Sequence, residues 1–134
     1  MVHAQAGLAI LLKVLRPDHP DIARAYWSLA VAYIYSRDAT QAEAMLRKGV
    51  AVCMEMDPTH PLRIDMLSTL GRLITTVRKS YGEARILHDL AIAGILERIG
   101  RSAGTGNLMR DQLESYQTNF RERVRVGWHL ANDP

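Results

Sequence analysis

The chain has one cysteine, one phenylalanine and no long uninterrupted apolar run. A lone Cys53 excludes an internal disulfide and any metal centre built on several thiolates. It sits in the run Val50-Ala51-Val52-Cys53-Met54 and reads as a small buried hydrophobe. Nothing approaches the ~18 apolar residues needed to span a bilayer. The N-terminal run Gly7 to Leu12 is too short, and charges come after it where a signal peptide would carry a small-residue cleavage site. A reducing, cytoplasmic setting without membrane insertion is the expectation. Aromatic residues are scarce at 6%, and no stretch alternates with period two for long enough to make a strand.

Recognisable catalytic patterns are missing too. The segment Gly100-Arg101-Ser102-Ala103-Gly104-Thr105-Gly106-Asn107 is rich in glycine. It lacks the Gly-Lys-Ser/Thr ending and the preceding strand of a phosphate-binding loop, so it reads as a helix connection. No HExxH occurs, no two histidines stand at i, i+4, and no serine or cysteine occupies a nucleophile elbow. The sequence therefore offers no catalytic residue, no cofactor site and no metal ligand set, and a non-enzymatic role is expected.

What remains is a helical composition. Of 134 residues, 48% are hydrophobic and 23% charged, mostly Ala, Leu, Ile, Val and Met around balanced charges. That length fits one domain, residues 1–134. The net charge of +3, from 17 basic against 14 acidic side chains, suits an acidic partner without demanding nucleic acid.

The chain also repeats itself. His19-Pro20 returns 41 residues later as His60-Pro61. Ten residues beyond each histidine comes a leucine and a small residue, Leu29-Ala30 and Leu70-Gly71. The first copy continues through Tyr33, Ala42, Leu46 and Gly49; the second through Ile74, Ala84, His88 and Ala91, with one extra residue in the intervening turn. Small residues at Ala30/Gly71, Ala42/Ala84 and Gly49/Ala91 let two antiparallel helices approach closely. The His-Pro pair reads as punctuation: proline is tolerated at the first helical position and presets φ for helix entry. Asp21 then favours the positive end of the helix dipole.

In HPDIA (His19 to Ala23), LAVAY (Leu29 to Tyr33) and QAEAMLRKGV (Gln41 to Val50) the chain resembles the tetratricopeptide repeat, in particular the long repeat of kinesin light chains. The resemblance covers about residues 4–99. The second copy departs from it at Leu62, Ile74 and His88. It implies an all-α fold, a right-handed α-α superhelix of about six helices. Expected segments are a half-repeat helix over 4–17, repeats over 20–57 and 61–99, a loop over 100–107, a capping helix over 108–130 and a tail over 131–134. The capping stripe is read as Met109, Leu113, Tyr116, Phe120 and Val124, continuing to Gly127 or Trp128.

The resemblance further implies a protein-interaction module, a scaffold or adaptor that takes a peptide on the concave face lined by the first helix of each pair. The exposed positions would be Arg24, Trp27, Ser28, Val31 and Tyr35, then Asp65, Ser68, Thr69, Arg72 and Thr76. Kinesin light chains carry asparagines there to hold a peptide backbone; Ser28, Ser68 and Thr69 would in part replace them. Trp27 is the expected anchor, with core packing as its alternative, and Arg24 and Arg72 would meet acidic groups. Leu8, Leu11, Leu12 and Leu15 present more apolar surface than one following helix covers. This suggests a homodimer or a docking face. Two other readings stay open: a helical region of a larger enzyme, as in SET/MYND-type methyltransferases, or a basic protein binding RNA or phosphate through Arg121, Arg123 and Arg125.

Overall fold

The computed structural model describes residues 2–101 and 106–132. Its elements are α1 (Val2–Val14), α2 (Pro20–Tyr35), α3 (Ala39–Cys53), α4 (Pro61–Leu73), a π-helical segment (Ile74–Arg78), α5 (Tyr81–Arg101), α6 (Gly106–Ser115) and α7 (Gln117–Asn132). Where one domain was expected, the chain divides between Asp57 and Pro58 into two compact units.

In the first unit, His19 caps α2. Its backbone is extended, and its ring Nδ1 accepts from the Asp21 amide at 3.1 Å with Pro20 in the first turn. An imidazole thus satisfies one of the donors that a helix start leaves unpaired. The helix ends in a Schellman motif: Asp38 N–H donates to Tyr33 C=O at 2.9 Å and Arg37 N–H to Ile34 C=O at 3.0 Å. Arg37 takes φ of 61°, a left-handed conformation in which a β-carbon is strained. Arg37→Gly is therefore expected to stabilise the protein by about 0.5–1 kcal/mol, read as a rise of a few degrees in the thermal midpoint. Asp38 caps α3 by accepting from the Gln41 amide at 3.1 Å.

The α2–α3 hairpin closes on Ile22, Ala23, Leu29, Ala30, Ala42, Leu46, Gly49 and Cys53, all buried. Each large aliphatic here contributes roughly 1.5–3 kcal/mol through removal from water. Helix α1 packs on α2 and is tied to it where Gln5 Nε2 donates to Tyr33 Oη at 3.0 Å. Of the leucines expected as an interface, Leu8, Leu11 and Leu15 are half-buried and Leu12 is exposed. Ile10 and Val14, one helical turn apart, are more exposed still, at 62% and 70%.

The second unit repeats the construction. His60 has the same extended backbone, and its Nδ1 accepts from the Leu62 amide at 3.2 Å, again with proline in the first turn. The extra residue of the second copy is located by the equivalences. Leu29 maps to Leu70 with a shift of 41. The two left-handed residues, Arg37 and Lys79, map with a shift of 42. The insertion thus lies between Leu70 and Lys79, where Ile74–Arg78 winds as a π-helix. One added residue in a helix widens a single turn without rotating the remainder of the hairpin. The hydroxyls of Thr75 and Thr76 donate to Gly71 and Arg72 C=O across this change of register, at 2.8 and 2.9 Å.

The core of this unit is Ile64, Met66, Leu67, Leu70, Gly71 and Ile74 against Ala84, His88, Ala91, Gly94, Ile95 and Ile99. Near the C-terminal end of α5, Arg98 donates to Thr59 C=O and Arg101 to Thr59 Oγ1, both at 3.2 Å. They hold the turn that launches α4.

Past α5 the expectations need correction. The expected loop over 100–107 is partly helix, since α5 runs through Arg101 and α6 starts at Gly106; residues 102–105 and the Met109 side chain lie outside the described residues. The expected single capping helix over 108–130 is broken at Tyr116 into α6 and α7. Helix α7 packs on α5, but its buried residue is Val126, while Val124 and Trp128 face outward. Its inner face is held by polar pairs. Asn119 Nδ2 donates to Ser68 Oγ at 2.6 Å, and Arg123 forms a close ion pair with Asp89. A stripe chosen for apolar content misses a face chosen by polar partners.

Candidate functional site

Helix α2 buries Ile22, Ala23, Leu29 and Ala30, which turns Arg24, Trp27, Ser28, Val31 and Tyr35 toward the other side. These fall at i, i+3, i+4, i+7 and i+11, one continuous helix face. Arg24 and Ser28 are exposed, Trp27 and Val31 half-buried, and Tyr35 is 85% exposed. Trp27 is thus partly buried, between core and free surface. Arg24 pairs with Asp21 at 2.8 Å. An exposed i, i+3 pair of this kind is worth well under ~1 kcal/mol and yields readily to a better acceptor.

In the second unit the corresponding positions differ in availability. Ser68 is half-buried and its hydroxyl accepts from Asn119, so it serves the packing of α7. Asp65 and Arg72 are exposed, and partial desolvation pushes the Asp65 carboxyl upward. Thr69 is half-buried and Thr76 exposed.

The hydroxyls share one property. Ser28 donates to Arg24 C=O at 3.1 Å, Thr69 to Asp65 C=O at 2.7 Å and Thr76 to Arg72 C=O at 2.9 Å. Each spends its only proton on its own helix and retains lone pairs alone. A hydroxyl so engaged can still accept a hydrogen bond but has no proton left to donate.

Sequence reasoning missed a second polar cluster. His88 is buried to 1% exposure, and neither ring nitrogen has a hydrogen-bond partner among the described residues. Desolvation holds its pKa below the ordinary value; Glu122 and Asp89 pull it up, while Arg123 and Arg72 push it further down. A histidine at the position that Leu46 fills in the first copy was the available signal. Among the described residues no group of three or more His, Cys, Asp or Glu side chains is placed to hold a metal ion. No helix among them is long and apolar enough to cross a membrane.

Helical hairpins related by a near-constant shift, with small residues at each crossing and a His-Pro start, define a TPR-like all-α repeat fold. Two solved structures share it, those of a Podosopora anserina protein described as a kinesin light chain with nearly identical TPR-like repeats and of a single-substitution variant of that protein. The variant matches at a TM-score of 0.63 and 20% identity, over 97% of this chain and 65% of that one. The other matches at 0.61 and 20%, over 98% and 65%. This chain therefore spans just under two thirds of those proteins. No family model matches the chain, and no curated protein does.

Proposed function

We propose that the chain is a non-catalytic protein-interaction module whose first helices bind a partner segment carrying acidic groups. The observation that supports this most is the α2 face. It combines a partly exposed indole, a largely exposed Tyr35 and an arginine in a surface ion pair on one helix side. Large rigid aromatics next to a guanidinium are the composition in which binding energy concentrates. Arg72 and Thr76 give the exposed face of α4 and its π-helical extension the same acceptor-plus-cation chemistry. A carboxylate-bearing extended segment suits each face taken by itself: its carboxylates meet arginine and its N–H groups meet the hydroxyl lone pairs.

The test is binding to an array of acidic peptides, with affinities measured by fluorescence anisotropy. Trp27→Ala is expected to weaken the selected peptides by about 2 kcal/mol, roughly thirty-fold in Kd. Arg72→Glu should weaken them further and flatten the dependence on salt. Affinities unchanged by both substitutions would remove these faces from the function. Ile10 and Val14 on α1 belong to the same proposal as a self-association face, and light scattering that finds only monomer at high concentration would exclude it.

A further inference from the structure

The outer face of α7 is a different surface, and the reading of α2 and α4 does not use it. Phe120, Val124 and Trp128 succeed one another at intervals of four residues, with Val124 71% and Trp128 60% exposed. Together with Arg121 and Arg125 they line, among the described residues, an open apolar groove of about 510 Å³. Scattered apolar residues on a surface mean little, but a contiguous seam of this kind marks an interface.

Two observations say what fits it. Trp128 is braced: its ring meets His129 edge-on at 5.2 Å, and His129 stacks on Tyr81 of α5 at 4.5 Å with 2° between planes. An exposed indole held in place offers a binding anchor that loses little freedom when a partner arrives. The charge around it is one-sided. In the run Arg121-Glu122-Arg123-Val124-Arg125, Glu122 turns inward with one carboxylate oxygen fully buried, and Arg123 is committed to Asp89. Only Arg121 and Arg125 border the groove. Both are exposed, and neither forms an ion pair among the described residues.

We propose that this face docks an amphipathic α-helix of a partner protein, apolar along one seam and carrying Asp or Glu beside it. A seam at four-residue steps is a row into which the ridge of another helix fits. These two exposed cations then supply charge complementarity, which selects the acidic version of such a helix. A phosphate backbone would instead require clustered cations over a polar surface.

The test uses two fluorescein-labelled, stapled helical peptides of about 15 residues with the same leucine seam, one flanked by glutamates and one by lysines. Against the full chain, the glutamate peptide should bind and the lysine peptide should bind at least about tenfold more weakly. Trp128→Ala should weaken the glutamate peptide about tenfold or more. The pair Arg121→Glu with Arg125→Glu should reverse the preference between peptides. Trp27→Ala should leave both affinities as they are, which separates this surface from that of α2. These positions are exposed, so the variants should keep the helical circular dichroism of the parent. Three results would overturn the proposal: equal affinity for the two peptides, dependence on Trp27 in place of Trp128, or a dimer that Trp128→Ala dissolves, since a second copy would then cover the face.

Discussion

Gly94→Ala should be among the most damaging single-methyl additions to this protein, with a loss of about 3 kcal/mol and a fall in the melting midpoint on the order of 10 °C. A β-carbon at Gly94 falls well inside contact distance of the Pro58 carbonyl oxygen, and lies 3.2 Å from the Pro58 carbonyl carbon and 3.3 Å from Ile64 Cγ1. The main obstacle is backbone, which cannot rotate aside as a side chain would. Nor can the turn slide away, because Arg98 and Arg101 bind Thr59 and the His60 cap comes directly after it. The equivalent junction of the first unit shows the looser solution. Val52 stands where Gly94 does, and Pro17, Asp18, Ala51, Val52 and Glu55 line an open cleft of about 260 Å³. Gly100→Ala, in the same helix α5, is the control. Nothing lies within 4 Å of its β-position, so helix propensity alone should give a gain of about 0.5–1 kcal/mol. Chemical denaturation of the two variants should give opposite signs. A Gly94→Ala protein as stable as the parent would show that the turn and α5 do not meet in this way.

The second large effect concerns Gly71 and His88. A β-carbon at Gly71 would meet the buried His88 ring at 2.8 Å from Nε2, 3.0 Å from Cε1 and 3.1 Å from Cδ2. Gly71→Ala alone should cost about 1–3 kcal/mol. The first copy builds the same crossing from Ala30 and Leu46, both fully buried. His88→Leu removes two buried ring nitrogens without partners among the described residues, which should be neutral or stabilising by about 1 kcal/mol. Combined with His88→Leu, Gly71→Ala re-creates the pairing of the first copy and should cost little. The double-mutant cycle should therefore show a coupling of at least about 1 kcal/mol, and additive effects would contradict the contact.

The same histidine predicts a pH dependence. Its folded pKa is lowered, chiefly by desolvation and against the attraction of Glu122, so the unfolded chain binds the proton more readily. The stability this group contributes is fully present above its unfolded value near 6.5 and is lost as pH falls from there through the folded pKa. Between pH 7 and 5 the parent should lose more stability than His88→Leu. Parallel pH profiles would mean that His88 reaches solvent.

Much of this architecture is legible in the sequence because it is local and repeated. His-Pro marks two helix starts, since a capping acceptor and a residue without N–H are both short-range requirements. The residue added between Leu70 and Lys79 is visible as a change of shift from 41 to 42, although its form as a π-turn is set by the packing on either side of it. The faces of α1 and α7 are not legible in the same way. Val124 and Trp128 make the more apolar stripe, yet Val126 goes inward because Asn119 and Arg123 find Ser68 and Asp89, partners 51 and 34 residues away. The Ser68 hydroxyl is lost to a partner for the same reason. Gly94 looks like any helical glycine until Pro58 is seen against it.

The equivalence of the two hairpins underlies every assignment made above, and a crystal structure of the chain measures it most directly. Superposing α2–α3 on α4–α5 should place Leu29 on Leu70, Arg37 on Lys79 and Leu46 on His88, with the mismatch confined to residues 74–78. Non-equivalent surroundings for Leu29 and Leu70, or a β-strand in either hairpin, would contradict it.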